Sequence, residues 1–334
     1  MNWYEKEPSV FSPVISTRVR FARNLENTPF PHLLSEEKKE TVWDKITSAL
    51  EEKNMQKIPF AGLDPLVKQS FVDGRIASRN FLSAEKGAGL LLSPDGDVSI
   101  MVNEEDHLRL QVLMSGKALR AALEKAKEYA LFCEEKLPIA YREKLGYLTS
   151  CPTNLGSACR ISAMVHLPAL SAMGAIGPLA EKLLPIGYTV RGAFGEGSLM
   201  TEGILQISNQ NKGDTAPEKI AEDFEKILLD LRDREGRAGA KILKDNPWEI
   251  KDRICRAIGT LRYAKKISYK EFLSLFSLVR FGKALGIDEA REMFLPDRFL
   301  TKLSASHLLL SDLSLENSEE RDVLRARKLR EANP

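Results

Sequence analysis

Every segment of this chain with the two-residue alternation of a strand falls before residue 245, and only helical patterns follow. That asymmetry divides the sequence into a mixed sheet-and-helix part, residues 14–244, and an all-helical part, residues 245–334. Ahead of both lies a short polar arm, residues 1–13, with Pro8 and Pro13. Strands are expected at 14–22, 87–93, 97–102, 108–113, 147–150, 161–167, 188–191 and 203–207. Helices are expected at 35–53, 117–136 and 216–234, the last with apolar residues at 220, 224, 227, 228 and 231. Beyond the change of character they are expected at 247–265, 268–285, 287–294, 304–311 and 318–331. The fold class is therefore α+β.

With 334 residues the chain is long enough for one large domain or for a core plus a smaller domain. A formal net charge of +2 gives no global basic field, which argues against a nucleic-acid partner. The four cysteines include no CxxC pair and the histidines are scattered, so neither a zinc site nor a secreted disulfide framework is expected. No apolar run approaches the ~20 residues that span a bilayer. The N-terminus lacks the apolar core of a signal peptide, and a reducing, cytoplasmic location is expected.

Charge is concentrated in a few strand-like or loop contexts. In Ser16-Thr17-Arg18-Val19-Arg20, the two arginines are two residues apart and leave the same face of a strand. Paired guanidinium forks suit phosphate, although an edge strand with solvated arginines has the same pattern. Asn103-Glu104-Glu105-Asp106-His107, followed by Arg109, is either a solvated turn or a cluster that holds a guanidinium and removes its proton. A guanidinium, with a pKa above ~12, needs such help to become a nucleophile. Glu105 is the candidate base and Asp106 a second holding group. Cys151 begins the Pro-Asn-Gly loop Cys151–Arg160, where a thiolate can face a cationic substrate or a buried thiol can serve packing alone. Arg191-Gly192-Ala193-Phe194-Gly195-Glu196 is a glycine-rich run that fits neither the P-loop nor the dinucleotide fingerprint. Near the C-terminus, Arg321-Asp322-Val323-Leu324-Arg325-Ala326 also reads as an ordinary charged helix surface.

Taken in order, STRVRFARNL, VNEEDHLRL, CPTNLGSACR and RGAFGEGS…QISNQ resemble the catalytic domain of phosphagen (guanidino) kinases over roughly residues 14–235. The resemblance implies an antiparallel sheet flanked by helices and transfer of the ATP γ-phosphoryl group to a guanidino nitrogen. It implies that Ser16, Arg18, Arg20, Arg109, Arg160 and Arg191 bind the nucleotide. It implies catalytic roles for Glu105, Asp106, Cys151 and Glu196, and Mg²⁺ held mainly by phosphate oxygens and water.

Three departures narrow the resemblance. Only 15 residues precede Ser16, where kinases of small guanidines carry a helical domain of about a hundred residues, within the usual domain range. A more open site is the expectation. Phe194 replaces a further arginine, and Met164 stands where an adenine-contacting histidine is usual. These features are similar to the bacterial protein arginine kinases. Membership there implies phosphorylation of arginines exposed on proteins, with a kinase for free arginine as the alternative. It further implies a C-terminal domain for homodimerisation and an allosteric phosphoarginine pocket of Arg321, Asp322, Arg325 and Ala326. The partners implied are a small zinc-binding activator protein and a Clp unfoldase-protease, in protein quality control.

Overall fold

The computed structural model describes every residue except 1, 9, 85, 194–202 and 211–214. Its strands are β1 (Val14–Arg23), β2 (Gln56–Pro59), β3 (Gly89–Leu92), β4 (Val98–Val102), β5 (Leu108–Ser115), β6 (Tyr141–Arg142), β7 (Gly146–Tyr147), β8 (Cys159–His166), β9 (Tyr188–Gly192) and β10 (Ile204–Asn209). Its helices before the break are α1 (Glu36–Ala49), α2 (Pro65–Asp73), α3 (Leu119–Lys136), α4 (Pro168–Ala172), α5 (Ile176–Leu183) and α6 (Pro217–Asp245). After it come α7 (Pro247–Tyr263), α8 (Tyr269–Leu285), α9 (Asp288–Glu292), α10 (Phe299–Lys302), α11 (Ala305–Ser311) and α12 (Ser318–Glu331).

Eight strands form one antiparallel sheet in the order β2-β3-β4-β5-β1-β8-β10-β9, and β6 and β7 make a separate hairpin. β1 is central and its alternation decides the faces. Val19 and Phe21 join a core with α1, α3, α5 and α6 on one side. α3 buries Leu119, Ala122, Leu123, Ala126, Tyr129, Ala130 and Cys133 there, a three-and-four spacing that makes one helical stripe. Arg18 and Arg20 therefore leave the other face.

Among the described residues, that second face is covered only at its ends. Towards β3 and β4, Leu90, Leu92 and Met101 pack with Phe60 and Phe81 and with Trp3 and Tyr4. The N-terminal segment expected to be a polar arm is packed down at Trp3 and Tyr4, which are 4% and 6% exposed. Towards β8 and β10, Ile15, Met164 and Ile204 join Ile254, Phe272, Phe276 and Phe281 of the C-terminal helices. Arg280 of α8 fastens this seam. It is buried, binds Asp297 at 2.9 and 3.1 Å and donates to the Ser12 carbonyl at 2.8 Å. Its neighbour His166 of β8 bonds Ser277 at 2.8 Å, and burial followed by the Arg280 charge pushes that imidazole far below its usual pKa.

Several elements were not expected from the sequence. β2, α2, α4 and α5 lie in stretches without a clear period, and α6 runs to Asp245 rather than ending near residue 234. The strand expected at 147–150 shrinks to Gly146–Tyr147, because the chain turns into the loop that carries Cys151. Gly146 has φ +72°, and a Cβ there would lie 2.3 Å from the Gly156 carbonyl oxygen, so hairpin and loop meet through bare backbone.

Replacing Arg280 by Ala leaves Asp297 without its buried counter-charge. We expect a stability loss of about 3–5 kcal/mol in urea unfolding monitored by circular dichroism. A loss below about 1 kcal/mol, the range of surface pairs, would remove Arg280 from its place as the seam's fastener.

Candidate active site

The strand register brings the charged residues together. Arg20 of β1 lies opposite Arg160 of β8 and Gln111 of β5, while Ala22 lies opposite Arg109. Arg191 of β9 lies opposite Gln206 of β10, which faces Met164 of β8, which faces Ser16 of β1. Directly opposed residues share a face in an antiparallel sheet. All five predicted arginines therefore point to the half-covered side. Ser16 shares that face but is 5% exposed and does not line the cavities described next.

Two cavities lie over these side chains. A cleft of about 1430 Å³ takes Arg18, Arg191, Gln206, Met164, Ile15 and Val190 from the sheet. Its opposite wall includes Arg75 and Arg79 beyond α2, and Tyr269 and Arg298 from the helical part. A pocket of about 70 Å³ gathers Arg20, Arg109 and Arg160 with Glu105, Asp106 and Asn154. Burial, together with the guanidinium groups of Arg109, Arg75 and Arg160, pulls Arg18 down to about 9. Burial also lowers Arg20 and Arg160, each with arginine neighbours adding to the effect. The buried Nε atoms of Arg20 and Arg160 find no hydrogen-bond partner among the described residues. Orphaned donors in a crowd of like charges are what a polyanion satisfies.

The corner between β4 and β5 divides its work among five residues. Asn103 takes a left-handed backbone (φ 57°) and donates to the carbonyls of Lys39 and Gly87 at 2.9 and 2.6 Å. Glu104 holds Arg109 through both carboxylate oxygens, at 2.7 and 2.6 Å, and accepts from the Ser78 hydroxyl at 2.6 Å. Asp106 is 1% exposed, and its Oδ1 accepts from Asn24 Nδ2 at 2.6 Å and from the Ser150 amide at 2.7 Å. His107 accepts the Leu25 amide at Nδ1 (3.0 Å), so its Nε2 donates to the Pro29 carbonyl (2.9 Å). Burial lowers this imidazole to about 4 and keeps it neutral. Glu105 alone is exposed, and its carboxylate has no hydrogen bond or ion pair among the described residues. Desolvation first, then the charges of Asp106 and Glu104, raise its pKa above the ordinary glutamate value.

Of the other expected residues, Cys151 starts a 3₁₀ turn, Pro152–Asn154, with its Sγ 3.0 Å from the Thr153 hydroxyl. It is half-exposed on the loop that Asp106 anchors, but it does not line the Glu105 pocket. Asp106 acts on that loop rather than being free to hold substrate through Oδ1. Glu196 lies outside the described residues. The C-terminal motif divides too. Arg325 is 2% exposed, with its guanidinium donating to the carbonyls of Leu303 (2.9 Å) and Ile267 (2.7 Å) and to Asp322 (2.5 Å). Ala326 lies in the helical core, so of the four only Arg321 and Asp322 are partly exposed, and the structure places Arg325 as an internal brace.

A family model described as ATP:guanido phosphotransferase, C-terminal catalytic domain, matches residues 37–238. One described as protein-arginine kinase McsB C-terminal domain matches residues 247–333. A protein-arginine kinase of Halothermothrix orenii is 36% identical over 317 residues, covering 94% of this chain and 90% of that protein. One of Caldanaerobacter subterraneus subsp. tengcongensis is 37% identical over 319 residues, covering 94% of each. The chain belongs to the protein-arginine kinase family. Among solved structures, the duplicated taurocyamine kinase of Schistosoma mansoni superposes with a TM-score of 0.60 at 23% identity. The match covers 68% of this chain and 34% of that duplicated one. A lombricine kinase superposes with a TM-score of 0.58 at 20% identity, covering 66% of each chain. These likenesses show the shared fold of a sheet flanked by helices. Among the described residues no helix is long and apolar enough to cross a membrane.

Sequence reasoning passed over four residues that shape this site in a member of the protein-arginine kinase family. In the sequence Glu104 stands out only as one of three adjacent acids. Asn24 and His107 carry no visible sign of their latching role. Arg75, in a left-handed backbone (φ 60°), donates to the Ala193 carbonyl at 3.2 Å and so ties the α2 side of the cleft to the end of β9. The pattern Asp73-Gly74-Arg75 after an unrecognised helix gave no reason to look there.

Asn24→Ala removes the donor to Asp106 and the acceptor of the His107 amide at once. A loss of about 1–3 kcal/mol is expected in denaturant unfolding. Phosphoryl transfer should also slow, with ATP affinity retained. An unchanged rate would mean that the anchored loop does not position the chemistry.

Proposed function

We propose that this chain transfers the γ-phosphoryl group of ATP to a guanidino nitrogen of an arginine side chain in a protein. The observation that carries the reading is the unpaired carboxylate of Glu105 in one pocket with Arg20, Arg109 and Arg160. The triphosphate lies along the arginines, from Arg18 and Arg191 in the cleft to Arg20, Arg109 and Arg160 beside Glu105. The apolar residues Ile15, Met164 and Val190 offer a wall for the base. In the reaction a nitrogen–phosphorus bond forms as the bond from the γ-phosphorus to the ADP oxygen breaks. The guanidinium proton goes to Glu105, and the arginines stabilise charge on the phosphoryl oxygens.

Mg²⁺ enters with ATP and neutralises phosphate charge. It would be held mainly by phosphate and water oxygens. A polypeptide as acceptor is supported by the curated relatives and by the exposure of Glu105. The same reading extends to residues 14–244 as the catalytic domain and 245–334 as a dimerising, regulatory one. Arg321 and Asp322 are then the accessible part of a phosphoarginine pocket. A zinc-binding activator, a Clp unfoldase-protease and a cytoplasmic setting complete it.

The test is incubation with γ-labelled ATP and Mg²⁺, with an unfolded protein or free arginine as acceptor. Acid-labile, base-stable label on the protein supports the reading, and label on free arginine alone overturns the protein acceptor. Glu105→Gln should lower turnover by about 10²-fold or more while ATP binding stays unchanged. Because the base must be deprotonated and its pKa is raised, activity should fall as pH drops. That acid limb should lie above the ordinary glutamate pKa of ~4.3 and vanish in the variant. A profile flat down to pH 5, or one that Glu105→Gln leaves in place, removes Glu105 as the base.

A further inference from the structure

A second cavity, of about 890 Å³, lies where the α4–α5 hairpin meets α6, α7 and α8, and it shares no lining residue with the cleft or the Glu105 pocket. Its size is within the range of small-molecule sites, roughly 300–1,000 Å³. Its apolar lining is Ile176, Ile242, Ile250, Leu278 and Phe281, drawn from four helices. Ser171, Ser274 and Ser277 add hydroxyl groups. The charged side chains among its lining residues are Arg253 of α7 and Lys270 of α8, both cations.

Neither side chain has a hydrogen-bond or ion-pair partner among the described residues. Among the described residues some cations of these helices pair, as Arg256 does with Asp252 at 2.7 Å, and others, such as Lys251 and Lys265, do not. What distinguishes Arg253 and Lys270 is that both line one cavity that has no acidic lining residue. The composition therefore selects on two properties together. A bare anion gains little from two exposed cations. An apolar molecule would leave them unmatched. A molecule with an anionic head and an apolar body satisfies both features.

We propose that this groove binds a small amphipathic anion, with a carboxylate or phosphate head on Arg253 and Lys270 and an apolar chain against Ile242, Ile250, Leu278 and Phe281. The bound chain braces the α4–α5 hairpin against α8. Ser277, which lines the groove, also bonds His166 of β8, the strand that carries Arg160 and Met164. The site is separate from the phosphoryl-transfer machinery but mechanically continuous with it.

Titration calorimetry on the full chain tests the proposal with three probes: decanoate, acetate and 1-decanol. Decanoate should bind saturably at one site, acetate and decanol should not, and ATP should not displace decanoate. The double variant Arg253→Glu/Lys270→Glu should weaken decanoate by at least about tenfold, which is 1.4 kcal/mol. Both positions are exposed, so its melting curve and its basal kinase turnover should match the parent. Phosphatidylglycerol vesicles that bind the parent but not the variant would support the same site and assign the anion to a lipid. Absence of decanoate binding, equal binding by the double variant, equal binding of acetate or decanol, or displacement by ATP would each overturn the proposal.

Discussion

Mutual repulsion of guanidinium groups on one face of a sheet is the constraint on which the rest of this molecule depends. Arg18, Arg20, Arg109, Arg160 and Arg191 are set side by side by strand register, and desolvation lowers Arg18, Arg20 and Arg160 further. Such a face cannot be held by its own contacts. The restoring energy comes from the other face, where the apolar residues of the same strands pack on α1, α3, α5 and α6. Alternation in β1 is thus both the reason for the charge crowd and the means of holding it: Arg18 and Arg20 cannot move without shifting Val19 and Phe21.

One internal counter-charge is allowed, and its position matters. Glu104 takes Arg109 in a two-oxygen grip and is itself fixed by Ser78. The acid at the next position would compete for the same cations if it were equally buried. Instead the left-handed turn at Asn103 sends Glu104 inward and leaves Glu105 exposed. The cleft needs two further walls, and neither comes from the sheet. The loop beyond α2 supplies Arg75, and the C-terminal helices supply Tyr269 and Arg298. The N-terminal segment ties them through Glu7–Arg298 and through Tyr4, whose hydroxyl meets His307 at 3.2 Å.

Much of this was legible in the sequence because the signals were local. The central strand, the charged corner and the long amphipathic helices each repeat a period within a dozen residues, and the end of strand-like alternation marks the helical region. What was not legible depends on distant partners. Trp3 and Tyr4 look like part of a polar tail until Gly74 accepts the Trp3 indole NH at 2.8 Å and the β3–β4 face covers both rings. Arg325 looks like a ligand-binding arginine in its motif, yet it is committed to the carbonyls of Leu303 and Ile267, which lie 22 and 58 residues away. Asp106 looks like a second catalytic acid, and its bond to the Ser150 amide, 44 residues away, is what assigns it to the loop. Spacing along a strand reports which face a residue takes, not what it meets there.

The resting site is electrostatically incomplete in two opposite senses, and the two deficits fit one reaction. The arginines are held down by burial and by one another, so they lack negative charge. Glu105 is pushed up by burial and by Asp106 and Glu104 more than Arg109 and Arg20 pull it down, so a further cation beside it is favourable. Nucleotide phosphates alone would relieve the arginines but add repulsion at Glu105. A guanidinium alone would suit Glu105 but add to the crowd of cations. On the proposed reading of the site, phosphate beside the arginines and a guanidinium beside Glu105 would answer both deficits together. The fold sets this up before any substrate arrives, since the sheet face and the β4–β5 corner are fixed by packing on the far side.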